Sequence, residues 1–549
     1  MNFKLLLNNI LTFFILLILL MLIQSMFNPL SVTKESLFHF ELFDLRGLAK
    51  GGIYVFTYLL AVIPLFILVK LKSLKTFLAL LCVVFIFLSI DFFIQLLGVS
   101  HGFSYDEYTL AMNEAGNYKY LITYLDSIGK TLVLAMITVL IVYFIRQKIS
   151  HNNLTNRFLF LALVPMFIIY VACYKINTFK LSSYPAMLKI PNIAVAYFQF
   201  SKPITKRILE KDIEVKNESK FRNIVWIIDE SVTGTYLSVN GYDKKTTPYL
   251  ERLDTTSSDF VNFGTVNSIS NCSANSNLFL RIGMNPKKHE LENITSLPTI
   301  FQYAKRAGYK TWLFDSQTRK DHLQNHLTIY DKDSIDNFET LGSEVERVQR
   351  DESFLNRMLS LVNDGTSTDK NFIVLVKYGA HFPYLLTYDQ KFTSFKPVLE
   401  NSYGGMNFEN REKQLNTYLN SLYFNVDLYL KKMLEKIDLK ESAIFYTSDH
   451  GQNILESEGL SRPHCNNENV VKNEVSVPLF LFSNKAKELF PNKENKFYSQ
   501  IQMFPTTLSF LGYSSEIVNA YGKTLNEGFT TSTERQYILS SSKESKVYE

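Results

Sequence analysis

The chain reads Ala443-Ile-Phe-Tyr-Thr-Ser-Asp449-His450-Gly451, an apolar, strand-like run that ends in an aspartate and a histidine. A second run of this kind, Ile224-Val-Trp-Ile-Ile228, stands before Asp229 and Glu230. Ligand-binding groups gather at the carboxyl ends of strands in an open α/β sheet, so the two segments can meet in space. Their carboxylates and imidazole then form a site for zinc or a similar metal ion. Either segment alone is equally typical of an ordinary loop.

Residues 221–549 alternate between strand-like and helical patterns. Further strand-like runs cover residues 310–315, 371–376 and 477–482, and helical patterns cover residues 297–307 and 415–436. This alternation predicts a mostly parallel sheet with helices on both faces. We therefore expect these residues to form an α/β domain.

The first third of the chain has a different composition. The 549 residues are 47% hydrophobic on average, but the long apolar segments are crowded near the N-terminus. These segments span residues 5–27, 53–69, 77–99, 131–145 and 158–174. Most of them reach the roughly 17–25 residues that cross a bilayer as a helix. We expect a membrane α-helical domain of five transmembrane helices over residues 1–176 and a linker or interfacial helix over residues 177–220.

The loops between the apolar segments predict their orientation. Lysine and arginine follow the second and fourth segments, whereas acidic residues are enriched in the loops after the first and third. Basic loops are cytoplasmic by the positive-inside rule, and Lys4 puts the N-terminus on the same side. Five crossings of an inner membrane then place the residues after about Lys175 in the periplasm of a bacterium that has an outer membrane.

The net charge and the cysteine content limit which partners and how many disulfides we expect. The net charge of +5 is small and is not clustered, which argues against a nucleic-acid partner. Cys82 and Cys173 lie in predicted spans, whereas Cys272 and Cys465 lie outside them. At most one disulfide is therefore possible outside the membrane, and the sequence leaves open whether it forms.

A small polar cluster, Asn271-Cys-Ser-Ala-Asn-Ser-Asn277, precedes an apolar run and indicates a turn that enters a helix. A hydroxyl at a helix N-terminus suits phosphate chemistry, although serine and asparagine also serve there as plain helix caps. His381 and His464 each lie in a loop after a strand-like run. A histidine in such a position is a candidate for catalysis or an ordinary loop residue.

Several segments resemble the bacterial phosphoethanolamine transferases, which are membrane members of the alkaline phosphatase/sulfatase superfamily. The segments are Glu230-Ser231, Leu237-Ser-Val-Asn-Gly-Tyr242 with Thr246-Thr-Pro248, Leu297-Pro-Thr299 with Ala307-Gly-Tyr309, and Ser448-Asp-His-Gly451. The five-span N-terminus is also similar, so the resemblance covers nearly the whole chain. It implies lipid A or other lipopolysaccharide modification, the activity linked to polymyxin resistance.

The resemblance also implies roles for single residues. Glu230, Asp449 and His450 are expected to bind one or two zinc ions, with manganese as the second choice. Ser276 aligns with the family's nucleophilic threonine and completes the metal ligands, and Ser273 is the second candidate. His381 and His464 match catalytic and phosphate-binding histidines. Weaker matches to substrate-binding positions are Gln317, Lys320, Asn113 and Glu114.

The implied reaction moves phosphoethanolamine from phosphatidylethanolamine to the Ser276 hydroxyl and then to a lipopolysaccharide or other glycan acceptor. A sulfatase would carry Cys-x-Pro-x-Arg at Cys272, and this chain has Ala274 and Ser276 at those places. A manganese-dependent glycerolphosphate transferase with five spans remains an alternative. So does an inactive lipid-binding regulator, although the retained metal ligands count against it.

Overall fold

The structure is a computed structural model of the chain. It describes residues 3–27, 62–96, 125–148 and 206–548, the last range with short gaps at 291–293, 319–322, 343, 367, 401–407, 457–462, 467–469, 492, 494 and 540–544. The chain divides into two compact units, Met1–Lys202 and Pro203–Glu549. Their boundary falls inside the segment expected to be a linker.

The first unit is helical over nearly all of its described part. Its helices are α1 (Phe3–Phe27), a short helix over residues 62–70, α2 (Leu74–Leu96) and α3 (Leu125–Lys148). Phe77 and Val142 are buried between helices, yet Val133 and Phe144 on α3 are each 59% exposed. A helix that is apolar on all sides is typical of a membrane span.

One helix in the described ranges is long and apolar enough to cross a membrane, over the 21 residues Ile128–Lys148. Shorter apolar stretches cover Leu7–Leu19 and Leu74–Ile86. The first, third and fourth predicted segments therefore coincide with helices, and the second does so over its described residues. The fifth predicted segment, residues 158–174, lies outside the described residues, so the total of five spans stays a prediction.

A seven-stranded sheet organises the second unit, with the strand order β2-β7-β6-β1-β5-β3-β4. The strands are β1 (Asn223–Asp229), β2 (Phe260–Asn267), β3 (Tyr309–Asp315), β4 (Asn337–Thr340), β5 (Lys370–Val376), β6 (Ser442–Ser448) and β7 (Ser476–Ser483). Strands β4, β3, β5, β1 and β6 are parallel, whereas β7 is antiparallel to β6 and to β2. The predicted mostly parallel sheet is confirmed. A separate small hairpin pairs β8 (Gln536–Ile538) with β9 (Ser545–Val547).

Helices cover the sheet. They are α4 (Pro248–Thr256), α5 (Ser273–Ile282), α6 (Ile300–Arg306), α7 (Ile329–Lys332), α8 (Arg347–Val362), α9 (Arg411–Leu422), α10 (Tyr429–Leu434), α11 (Ala486–Leu489), α12 (Met503–Phe510) and α13 (Ser515–Tyr521). A π-helical turn, Tyr423–Leu428, joins α9 to α10, so the pattern over residues 415–436 corresponds to one nearly continuous helical segment.

Apolar residues fill the space on both faces of the sheet. Alternate residues of β1 point to opposite sides, Trp226 into one core and Ile227 into the other. Strands buried on both faces have continuous apolar sequences, which explains the run before Asp229. Strand β1 lies between β5 and β6 and is parallel to both, and its last residue, Asp229, pairs with Ser448 of β6. The carboxyl ends of β1 and β6 therefore lie side by side.

Candidate active site

Three potential metal ligands lie together at the carboxyl ends of β1 and β6. Glu230, Asp449 and His450 each offer a ligand atom, and these atoms all lie within 4.8 Å of one another. His450 Nε2 is 3.4 Å from Glu230 Oε1 and 3.6 Å from Asp449 Oδ2. All three side chains are buried. The register that pairs Asp229 with Ser448 is what brings the two segments together.

The electrostatics of this cluster favour a bound cation. Burial and the Glu230 carboxylate raise the pKa of Asp449 well above its ordinary value. Burial alone would lower the pKa of His450, but Asp449 and Glu230 raise it to about 9. Asp449 Oδ2 is buried and accepts no hydrogen bond from the described part of the chain. Two carboxylates and an imidazole are a donor set that zinc accepts, so the residues fit such an ion.

The backbone after Glu230 makes a sharp turn. Ser231 has a positive φ of 65°, a conformation that L-residues other than asparagine and aspartate rarely adopt. The turn is held from two sides. Ser231 N donates to Asp449 Oδ1 over 3.1 Å, and the Tyr418 hydroxyl donates to the Ser231 carbonyl over 2.6 Å and accepts from Thr233 N over 2.9 Å. Tyr418 belongs to α9 and was not a sequence candidate.

A buried ion pair lies beside the cluster. Lys377, directly after β5, contacts Asp229, and both side chains are fully buried. Lys377 Nζ also donates to the carbonyl of Asn425 in the π-helical turn. Asp229 Oδ1 accepts from Glu230 N over 2.9 Å, so the pair fixes the backbone from which Glu230 projects. The signal in the sequence that could have identified Lys377 is an ionisable residue at the end of an apolar strand.

Gln317 contacts the cluster directly. Its Nε2 donates to Glu230 Oε2 over 2.9 Å and to the Lys377 carbonyl over 2.8 Å. This places the side chain, expected to bind substrate, in a position to orient a metal ligand. The other weaker substrate-binding candidates lie outside the described residues: Lys320, Asn113 and Glu114.

The two candidate serines lie at different depths in α5. Ser273 is the first helical residue, and its Oγ lies 2.9 Å from His450 Nε2 and 3.3 Å from Glu230 Oε2. Ser276 is fully buried, and its hydroxyl donates to the Ser270 carbonyl over 2.9 Å. Three residues advance a helix by about 4.5 Å, which carries Ser276 away from the end that faces the cluster. The structure therefore brings Ser273, and not the expected Ser276, to the metal ligands.

Both candidate histidines lie in loops near the cluster. The rings of His464 and His450 stack with their centroids 4.1 Å apart, and His464 Nδ1 lies 3.5 Å from Gln452 Nε2. The His381 ring packs at 5.5 Å against Tyr378, and its Nδ1 lies 2.6 Å from the Phe382 carbonyl oxygen.

One disulfide is present in the described part of the second unit. It joins Cys272, the N-cap of α5, to Cys465, the residue after His464. The disulfide between Cys272 and Cys465, which the sequence left open, thus forms next to both Ser273 and His464.

Comparisons with known proteins show which family the second unit matches. A sequence model of the sulfatase family matches residues 222–513, a little over half of the chain. The phosphatidylethanolamine transferase Mcr-1 of Escherichia coli is 23% identical over 309 residues, which cover 54% of this chain and 55% of that protein. The Kdo(2)-lipid A phosphoethanolamine 7''-transferase of Escherichia coli is 24% identical over 242 residues, which cover 43% and 40%. The chain thus spans about half the length of the curated relatives it matches.

A solved structure resembles more of the chain. The integral membrane protein lipooligosaccharide phosphoethanolamine transferase A (EptA) from Neisseria meningitidis superposes with a TM-score of 0.55. The match covers 85% of this chain and 91% of that one at 16% identity. At this identity the likeness shows the fold alone.

Proposed function

Since the chain belongs to the sulfatase family within the alkaline phosphatase/sulfatase superfamily, we propose that it is a metal-dependent phosphoethanolamine transferase. The donor is phosphatidylethanolamine, and the acceptor is a lipid A phosphate or a core sugar of lipopolysaccharide. The observation that carries the proposal is the Ser273 hydroxyl, 2.9 Å from His450 beside Glu230 and Asp449. The curated relatives, named for phosphoethanolamine transfer, support the choice of transferred group.

Ser273 is our candidate nucleophile, in place of Ser276. A zinc ion bound by Glu230, Asp449, His450 and the Ser273 hydroxyl would supply Lewis-acid stabilisation of phosphate charge and lower the pKa of that hydroxyl. The Ser273 hydroxyl donates to Glu230 Oε2 over 3.3 Å, so a carboxylate oxygen lies beside it to accept the proton as Oγ attacks phosphorus. Sulfate-ester hydrolysis is disfavoured because the chain lacks the Cys-x-Pro-x-Arg segment at Cys272.

The transfer then takes two displacements. In the first, the bond between Ser273 Oγ and phosphorus forms, the bond from phosphorus to the glycerol oxygen breaks, and diacylglycerol leaves with a proton. We assign to His464 and His381 the roles of giving that proton and of holding phosphoryl oxygens. In the second, an acceptor oxygen attacks the same phosphorus and Ser273 recovers its hydroxyl. The positive end of the helix dipole at the start of α5 favours the phosphate charge throughout.

The location follows from the lipid substrates. We propose five transmembrane helices in a bacterial inner membrane, with the N-terminus in the cytoplasm and the second unit in the periplasm. The apolar helices α1, α2 and α3 support this, as does the likeness to an integral membrane protein.

Mass spectrometry of lipopolysaccharide, separated into lipid A and core, tests the proposal in cells that express wild type, Ser273→Ala or Ser276→Ala. We expect a phosphoethanolamine increment with wild type and Ser276→Ala and none with Ser273→Ala. Ser276→Ala is the matched control, because it removes a hydroxyl from the same helix away from the cluster. An increment with Ser273→Ala would overturn the nucleophile, and no increment with wild type would overturn the acceptor class.

A further inference from the structure

The disulfide joins the two segments that carry proposed catalytic side chains. Cys272 directly precedes Ser273, and Cys465 directly follows His464. The Cα atoms of the bridged cysteines are 4.9 Å apart, although 193 residues separate them in the sequence. Each end of the bridge is thus one residue from a group that handles phosphate in the proposed reaction.

Hydrogen bonds reinforce the same connection. Cys465 N donates to the Asn271 carbonyl over 2.9 Å, and Asn271 Nδ2 donates to the Asn466 carbonyl over 2.6 Å. The Glu474 carboxylate accepts from Asn271 Nδ2 over 3.2 Å and from Asn466 Nδ2 over 2.6 Å. We call the set Asn271, Cys272, Cys465, Asn466 and Glu474 the clasp.

The clasp also reaches the metal-ligand segment. Glu474 is fully buried, and its backbone carbonyl accepts from Gly451 N over 2.9 Å, directly after His450. The segments that bear Ser273, His464 and His450 are therefore connected by hydrogen bonds to Glu474, and the first two are also joined by the disulfide. The stacking of His464 on His450 at 4.1 Å is the arrangement that these contacts maintain.

A bridge of this span has a second possible effect. Joining residues far apart in sequence restricts the unfolded chain, which stabilises the folded protein. That effect changes how much protein is folded, but it leaves the turnover of the folded molecules as it was. The two roles therefore differ in a measurable way.

We propose that the clasp is a positioning device that holds His464 at a fixed place relative to Ser273 for phosphoryl transfer. The inference rests on the proposed function and extends it to Cys272, Cys465 and Glu474, none of which touches the substrate. Small misplacements of reacting groups lower turnover strongly, whereas binding of the donor depends on other contacts. Opening the bridge therefore lowers kcat with little effect on KM or on the metal content.

The test uses the full-length, zinc-loaded protein and a fluorescent phosphatidylethanolamine donor, before and after treatment with a water-soluble phosphine. The phosphine supplies two electrons, becomes a phosphine oxide and leaves two thiols, and unlike a thiol reductant it is a weak zinc ligand. We expect kcat to fall at least tenfold, while KM for the donor changes less than twofold and zinc per chain stays constant. The variant Cys272→Ser/Cys465→Ser should have the low kcat from the start and should not respond to phosphine.

Cys82→Ser is the matched control, because Cys82 is an unbridged, exposed cysteine of the first unit. It should keep the wild-type kcat and the wild-type response to phosphine. If reduction lowers the thermal midpoint of wild type but leaves kcat unchanged, the bridge is only a stabilising link and the positioning role is wrong.

Hydrogen exchange separates this inference from the proposed function. In the reduced protein the backbone amides of residues 464–466 should exchange at least tenfold faster, because Cys465 N loses its fixed acceptor. If oxidised wild type transfers no phosphoethanolamine, the proposed function fails. The exchange result alone then decides whether the clasp holds the His464 segment in place. Equal exchange in the oxidised and reduced proteins would overturn it.

Discussion

At the residue scale, the hydroxyl of Tyr418 stabilises an unusual backbone conformation next to Glu230, a proposed metal ligand. It bonds both sides of the turn at Ser231, whose φ of 65° lies in the left-handed region. Tyr418→Phe removes one oxygen and keeps the ring packed at 4.8 Å against Tyr384. Because groups that orient metal ligands affect affinity about 10–100-fold, we expect zinc binding to weaken by about tenfold.

Isothermal titration of the metal-free proteins with zinc measures this effect. Tyr429→Phe is a suitable control, since the Tyr429 hydroxyl is buried with no hydrogen-bond partner in the described ranges. Its zinc affinity should equal that of wild type. Equal affinities for Tyr418→Phe and wild type would show that the turn holds its shape without the hydroxyl.

Lys377 is a second residue whose role is structural and specific. Lys377→Met leaves the Asp229 carboxylate buried without its cation, and removal of one partner from a buried pair typically costs about 3–5 kcal/mol. We expect a lower thermal midpoint for Lys377→Met and partial recovery in Lys377→Met/Asp229→Asn. Differential scanning calorimetry compares the three proteins. A double variant no more stable than the single one would contradict the account of the pair.

The choice between Ser273 and Ser276 shows what the sequence leaves undecided. Serine and asparagine are both good helix caps, so the polar cluster at residues 271–277 is compatible with several helix starts. The start at Ser273 coincides with a disulfide whose second cysteine is 193 residues away. Local pattern carries no information about such a partner, whereas the meeting of Glu230 with Asp449 follows from two apolar strands alone.

At the scale of elements, apolar runs in the sequence identified the central strands of the sheet but not its two edge strands, β2 and β4. Strands β1, β5 and β6 are buried on both faces and therefore lack polar interruptions. Strand β2 was missed because Asn262 and Gly264 interrupt it at an irregular pairing, and the edge strand β4 is only half-buried. Strand β7 was located correctly, but an apolar run does not reveal that it is antiparallel to its neighbours.

The loop that precedes β7 should give the protein a pH-dependent stability. Burial raises the pKa of Glu474 from its ordinary value of 4.5 to about 7. Between these two values the folded chain holds a proton that the unfolded chain has released, so stability falls as pH rises. The loss is about 1.4 kcal/mol per pH unit and about 3 kcal/mol in total, complete above pH 7.

Glu474→Gln removes the titrating group and keeps one of the two side-chain oxygens that accept hydrogen bonds in the clasp. From pH 4.5 to pH 7 the thermal midpoint of wild type should fall by several degrees relative to that of the variant, and the two curves should run parallel above pH 7. Parallel curves over the whole range would show that Glu474 keeps an ordinary pKa in the folded protein.

At the scale of the whole molecule, the proposed metal site connects elements that are distant in the chain. Its proposed ligands directly follow β1 and β6 or begin α5, so a bound ion would link the two strand ends and the helix. Without a cation, burial and the neighbouring Glu230 carboxylate disfavour the charged form of Asp449, as the raised pKa of that residue shows. We therefore expect removal of metal with a chelator to abolish transfer and to lower the thermal midpoint, and zinc to restore both.

The size of this stabilisation is set by mass action, at about 2.7 kcal/mol when free zinc is one hundred times its dissociation constant. A zinc titration followed by thermal midpoint and by transfer measures it, with Glu230→Gln as the variant that should gain little. Activity restored by manganese and not by zinc would favour a glycerolphosphate transferase instead. A midpoint that zinc leaves unchanged in wild type would mean that the three side chains do not bind the ion, because any ligand that prefers the folded state must raise it.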